Sequence, residues 1–259
     1  MLNILVDLKT VRDSGRLDFD YFNPSQEQQI SLAKGFTKEL LGNLCIKVGT
    51  GKTAPRGSYP ESGVRIIKVK NVRGSGINWN DKFYVSEDFY KSAEKKARLQ
   101  EGDILMLCAA HNKVYIGRVD IVGKFPADVK NDGGRCVSVG ELIIIRANPD
   151  LVVPEYLITF LRLAVVQEKI RKMVKGQTAH LYPRDLVHLE VVLPPREIQE
   201  EIAAMNLEAE KQYASRIRRA EDDLISTRRL IKNTILTGNG DDSIEEVIPD
   251  SVADEPEPD

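Results

Sequence analysis

Four short segments of this chain carry side chains able to meet phosphates or the edges of bases. Lys52, Thr53, Arg56, Ser58 and Tyr59 stand in a loop punctuated by Gly and Pro, and Lys68, Lys70, Asn71 and Arg73 close an apolar run that meets the turn at 74–76. His111, Asn112 and Lys113 fall between two apolar runs, and Lys175, Gln177, Thr178, His180 and Arg184 lie just before the last one. The chemistry open to such groups is recognition rather than bond-making. Asn and Gln can pair bidentately with adenine, and Arg and Lys with guanine. A Lys on a phosphate positions a duplex without reading it. Taken singly, each residue also suits a solvated surface; their gathering in loops between stiff runs is what favours recognition.

Other chemistries fit less well. Val48, Gly49, Thr50, Gly51, Lys52 and Thr53 look like part of a phosphate-binding loop, but GxxxxGK[ST] needs Gly where Ile46 stands. His111, His180 and His188 are too dispersed for HExxH-like metal binding, and His188, on an alternating run, reads as a core or edge histidine. Cys45, Cys108 and Cys136 lack CxxC spacing and are read as buried free thiols. There is no Gly-rich cofactor loop with an NPPY-type tetrapeptide, and PADVK at 126–130 is too short and loop-like for a PD…(D/E)xK nuclease core. No catalytic residue, cofactor or metal is implied, and the chain reads as a non-enzyme.

The elements that must hold these loops are mostly strands. From Leu44 to Ile145 short β-branched runs alternate with turn residues: CIKV, VRIIKV, FYV, DILMLC, VYIGRVDIV and VSVGELIIIR. Helical spacing is expected at 25–41, on Ile30, Ala33, Phe36 and Leu40 or Leu41, with Gly42 as the stop. It returns at 154–174, with Pro at its start and Gly176 past its end. Leu186, Leu189, Val191 and Leu193 suit a final half-buried strand, which Pro194 and Pro195 stop by removing two backbone donors. Beyond them, Ile198, Ile202, Met205, Ala209, Tyr213, Ile217, Ala220, Leu224 and Ile231 recur mostly every three or four residues, with Glu197, Glu200 and Glu201 at the favoured end of the dipole. This predicts one helix of roughly 60 Å from Arg196 to about Leu236. Its apolar seam needs a partner helix. The expected fold class is α+β: a mainly β domain at 1–195 with flanking helices, a coiled-coil-type helix at 196–237, and a tail at 238–259. No internal repeat is evident.

The net charge of −2 conceals an asymmetry. Residues 239–259 hold nine acids and no base, leaving 37 Lys and Arg against 30 Asp and Glu in the rest, a net of +7. A basic body suits a polyanionic partner. The acidic, Pro-spaced tail is expected to be disordered, as a solubilising segment or, alternatively, a decoy or docking segment. The longest apolar run is broken by Ser138, Gly140 and Glu141, and the first eight residues are too short and acidic for a signal peptide, so a cytoplasmic protein without membrane contact is expected.

In order and spacing, GRLDFDYFNP, KELLGNLCIKVGTGKTAP, SYPESGVRIIKVKNV, LQEGDILM, VYIGRVDIV and PEYLITFL, closed by GQTAHLYPRDLVHLEVVLPPREIQEEI, resemble the specificity subunits of type I restriction-modification systems. The resemblance covers nearly all of 1–236 and is to one target-recognition domain with its following helix. Such subunits usually carry two domains and two spacer helices, so this chain looks like a half-subunit. The resemblance implies a non-catalytic, double-stranded-DNA-reading protein that serves a methyltransferase subunit and, where present, a restriction and translocation subunit. It further implies antiparallel pairing of spacer helices, as a homodimer reading an inverted repeat or with a second half-subunit reading an asymmetric site. The competing expectation is a coiled-coil interaction or assembly protein that keeps the fold without reading DNA.

Overall fold

A computed structural model describes residues 33–237 except Arg56, His111, Gln177 and Thr178. Residues 1–24, the first part of the helix expected at 25–41, and the tail at 238–259 lie outside the described residues. The chain divides into two units, Met1–Leu207 and Glu208–Asp259.

The first unit is built on a four-stranded antiparallel sheet in the order β2 (Cys45–Thr50), β8 (Leu142–Ala147), β5 (Ile104–Leu107), β6 (Val119–Ile121). Ile104 lies opposite Ile145 and Met106 opposite Ile143. The runs ILML and LIII do not alternate with polar residues because both faces of this sheet are covered. Successive side chains point to opposite faces. Ile104, Met106, Ile143 and Ile145 join one cluster with Tyr156, Leu157, Leu161 and Ile170, while Leu105, Leu107, Leu142 and Ile144 join another with Ile66, Val85, Tyr90 and Val137.

The second cluster is closed by a three-stranded sheet, β4 (Tyr84–Val85), β3 (Val64–Ile67), β7 (Cys136–Ser138), in which β3 and β7 run parallel. It is also closed by α2 (Glu87–Ala97), which the β reading of this region missed. Its signals were local: Ser86 accepts the Phe89 N–H as N-cap, Glu87 and Asp88 occupy the first turn, and Tyr90, Ala93 and Ala97 form the buried face.

Four expected elements differ in the fold. Thr37–Leu40 is strand β1 rather than the end of a helix, because its backbone pairs with β9 (Glu190–Leu193), Thr37 opposite Leu193; α1 (Leu41–Leu44) follows as a single turn. The helical stretch at 154–174 is two helices, α4 (Pro154–Arg162) and α5 (Ala164–Lys172), broken where Leu163 turns to ψ 134. The Gln167 amide donates to Leu161 O at 2.7 Å across that break. Leu186 belongs to the short α6 (Pro183–Leu186), leaving β9 only four residues. The run VYIGRVDIV likewise divides into a 3-10 turn, Lys113–Tyr115, and β6. A five-residue helix, α3 (Ala127–Asn131), precedes β7.

The long helix α7 (Arg196–Thr237) runs for 42 residues. Its first turns belong to the first unit: buried Gln199 accepts the Val153 N–H at 3.0 Å and donates to Pro194 O at 2.9 Å, and Ala203 sits in the main core. Among the described residues no helix is long and apolar enough to cross a membrane.

Candidate nucleic-acid interface

The hairpin bearing Arg73 is held by two buried polar groups, Asp120 and Asn71. Asp120 on β6 is wholly buried. Its carboxylate accepts the Gly74 and Gly76 N–H groups, each at 2.8 Å, and Arg162 Nη2 from α4 at 3.0 Å. That pins the turn of a small hairpin whose sides meet at the Val72–Ile77 bridge. Gly74 sits at φ +84 and Gly76 at φ +124, left-handed conformations that glycine adopts without strain.

Asn71 holds the same hairpin from within. Its side-chain oxygen accepts the Lys68 N–H at 2.8 Å, and its amide donates to Asn78 O at 2.7 Å and Asp81 O at 2.9 Å. The residue is 0% exposed, so it is corrected from base reader to turn-holder. A buried Asn with its amide engaged on both sides has nothing left to offer a base.

Around this hairpin the cations form a connected series, Lys70 and Arg73 exposed and Lys68 and Arg118 half-buried. Lys68 Nζ lies 4.2 Å from the Tyr59 ring centroid and 4.7 Å from that of Phe83, and Lys70 lies 4.7 Å from Phe83. Lys70 and Arg73 share Asp81 at 3.7 and 3.5 Å. Both cations are about half exposed while Asp81 is half-buried. Arg118 lies 4.6 Å over the Tyr115 ring, and its stem would lie 3.6 Å from a Cβ placed on Gly74. Burial, and secondarily the charge of Glu141, raise the Tyr59 phenol above its usual range and keep it neutral.

A second loop pair sits across β5. Lys175 and His180 exchange backbone hydrogen bonds, Leu181 N–H donates to Cys108 O at 2.8 Å, and Ala109 bridges His180. Cys108 and Ala109 are therefore neighbours of His180 and Leu181, although roughly seventy positions apart. His180 stacks on Tyr182 at 6.1 Å, Arg184 lies 4.9 Å over Tyr182, and Lys175 pairs with Asp185 at 3.2 Å. Arg56, His111, Gln177 and Thr178 lie outside the described residues.

Other expected contacts are engaged within the domain. Lys52 is turned onto α2, donating to Ser92 O at 3.2 Å and Ser92 Oγ at 3.0 Å, and Thr53 donates to Glu141 Oε2 at 2.7 Å. Ser58 donates to Pro55 O. The amides of Gly51 and Lys52 are committed to Leu142 O and Ser138 O. A Cβ on Gly51 would stand 2.2 Å from Ser138 O, so this glycine serves close backbone packing. His188 lies exposed in the turn after α6 rather than on a strand.

Sequence reasoning missed Val114, Tyr115, Arg118 and Tyr182. The first three were absorbed into an expected strand; the signal was Asn112, whose side chain caps the turn by accepting the Val114 N–H at 3.0 Å. On α7 the first two residues expected in the dimerisation seam belong to the packing of the first unit. Ile202 packs against the main core and Ile198 is half-buried, so neither is a free seam position. Met205, Ala209, Tyr213, Ile217, Ala220, Leu224 and Ile231 are exposed, as are Leu207, Ile225, Leu230, Ile235 and Leu236, which the seam omitted.

Among solved structures the chain is similar to the HsdS subunit of Thermoanaerobacter tengcongensis, with a TM-score of 0.51 and 19% identity over 75% of this chain and 42% of that one. It is also similar to a chain from a structural study of complex assembly and conformational transition in the type I restriction-modification system, with a TM-score of 0.56 and 16% identity over 91% of this chain and 54% of that one. The chain spans about half the length of these relatives. At such identities the likeness is one of fold, and the fold is that of an HsdS subunit. No family model and no curated protein sequence matches the chain.

Proposed function

We propose that this chain is the non-catalytic DNA-recognition half-subunit of a cytoplasmic type I-like restriction-modification system. Residues 1–195 form the target-recognition domain, 196–237 the spacer and dimerisation helix, and 238–259 an acidic tail. The domain reads one half of a bipartite site and delivers a methyltransferase subunit, with a restriction and translocation subunit where one exists. Two copies pairing through α7 read an inverted repeat, whereas pairing with a second half-subunit gives an asymmetric site.

What carries this reading is the HsdS-like fold over about half the length of the similar chains, with cationic and aromatic loops fixed to its sheets. The expected contacts are Lys68, Lys70, Arg73, Asn112, Lys113, Lys175, His180 and Arg184, with Lys52, Thr53, Ser58 and Tyr59 beside them. Phosphate contacts by the cations position the duplex, and side chains at the loop tips discriminate bases.

The test is a map of methylated bases in cells that natively encode the chain, against cells lacking only this chain. Loss of a bipartite motif supports the proposal, and its symmetry tells a homodimer from a mixed pair. An unchanged methylome overturns it and favours an assembly protein acting through the exposed apolar side chains of α7. Salt response separates the two as well. Binding through phosphates weakens by about 0.9 log unit per contact per decade of salt, while apolar helix pairing changes little.

A further inference from the structure

We propose that the 3-10 turn Lys113–Tyr115 reads a thymine through its methyl group, with Val114 as the apolar contact and Lys113 and Arg118 seating the turn on flanking phosphates. This rests on the DNA-reading function above and adds a base class to it.

Val114 is 71% exposed, which alone is ordinary for one apolar side chain on a surface. How firmly it is held sets it apart. The Asn112 side chain accepts the Val114 N–H at 3.0 Å, and the Asn112 and Lys113 carbonyls accept the Tyr115 and Ile116 N–H groups at 3.2 and 3.1 Å. Beneath the turn, Ile116 is buried in the main core. Gly117, at φ +91, donates to Leu107 O at 2.9 Å and accepts the Gln167 amide at 2.8 Å. A Cβ there would lie 2.8 Å from Gln167 Oε1, so β5 and α5 grip the turn from two sides.

The surroundings are cationic. Lys113 precedes Val114, Arg118 lies over Tyr115, and Arg118 in turn abuts the hairpin that carries Arg73. Such charge suits a polyanion. In duplex DNA the apolar feature available on a base edge is the thymine methyl, exposed in the major groove. A protein partner would call for a broader apolar patch than one valine and a half-exposed tyrosine among cations.

For the test, the tagged full chain is isolated from its native cells with its co-purifying subunits and used to select from a randomised, unmethylated duplex library, with Val114→Ala in parallel. Each thymine of the selected duplex is then replaced singly by deoxyuridine, which removes only the methyl. At one position deoxyuridine is expected to weaken wild-type binding about fourfold, the ~0.8 kcal/mol of one buried carbon at 1.4 kcal/mol per tenfold. Val114→Ala loses a similar factor on the thymine duplex and no longer distinguishes deoxyuridine there. If a motif is selected but Val114→Ala responds to every deoxyuridine as wild type does, the thymine contact is overturned and DNA reading stands. A loss in Val114→Ala with no methyl-sensitive position overturns it equally. A selection yielding no motif overturns both. Because the side chain is exposed, the variant's thermal unfolding should superimpose on that of wild type.

Discussion

Replacing Asp120 by Asn would test whether the Gly74–Gly76 turn is held from below by a buried carboxylate. Oδ1 accepts the Gly76 N–H at 2.8 Å and Arg162 Nη2 at 3.0 Å, and Oδ2 accepts the Gly74 N–H at 2.8 Å. An Asn oriented with its oxygen at the Oδ1 position keeps two of these bonds. Its NH2 then faces the Gly74 N–H, donor against donor in a buried place, and Arg162 loses a full counter-charge. One lost charge-assisted bond is worth about 1.5–3 kcal/mol, and the weakened buried pair brings the total to about 3–4 kcal/mol. A domain stable by ~5–15 kcal/mol remains folded after that loss. Urea unfolding should therefore show a midpoint lower by about 1.5 M at an m value near 2 kcal/mol/M. Amide exchange at Gly74 should be slow in wild type and fast in the variant, while Gly76 keeps most of its protection. With Arg162→Gln, the double-mutant cycle should return a coupling of at least about 1 kcal/mol. A midpoint unchanged within about 0.3 M, together with unaltered exchange at Gly74, would refute the reasoning.

The long helix offers a paired experiment. Ile217→Glu with Leu224→Glu should dissociate an α7-mediated dimer in light scattering while leaving the melting of the first unit in place; Ile202→Glu should instead lower that melting temperature, because Ile202 packs into its core. A dimer unaltered by the double substitution would remove this face as the seam. Gly51→Ala should cost roughly 3 kcal/mol or more, since its Cβ would stand 2.2 and 2.3 Å from the Ser138 and Val139 carbonyl oxygens, and thermal melting checks it. Burial pushes the Cys45 and Cys136 thiols, and burial with the Glu141 charge that of Cys108, up to about 12. A raised thiol pKa leaves the neutral form in excess at pH 8, so iodoacetamide should label the native protein slowly and the urea-unfolded protein fully. Rapid native labelling of Cys136 would contradict its burial.

Most strands were legible because their apolar runs are short, β-branched and bounded by turn residues. The runs at β5 and β8 showed no period of two, and the reason is visible only in three dimensions: each face of that sheet meets its own core cluster. Helix α2 was missed although Ser86, Glu87 and Asp88 announce it, because the surrounding runs all read as β. Residues 37–40 failed in the opposite sense. Spacing at Phe36 and Leu40 suggested a helix, but pairing with β9, at least 150 positions away, makes residues 37–40 a strand. Tertiary pairing overrode a local pattern there.

The loops proposed to contact DNA were legible as loops, since Gly and Pro punctuation and clustered cations are local facts. Which side chains face outward was not. Asn71 and Arg73 lie two positions apart in one segment, yet one is buried as a turn-holder and the other is exposed beside Asp81. Asp120 carried no signal at all, because its role depends on two glycine amides more than forty positions upstream and an arginine more than forty downstream.

By itself, the amino-acid sequence determined the α+β class, the basic body and the long helix after Pro194 and Pro195, because propensity, charge and period act within a few residues of one another. Only the tertiary structure decided that Ala109 lies beside His180, that Lys52 and Thr53 hydrogen-bond to the domain's own α2 and Glu141, and that α7 packs on the main core as far as Ala203. Those outcomes depend on which distant backbone or carboxylate a side chain meets once the sheets have closed. That is a property of contacts formed in space rather than of neighbours along the chain.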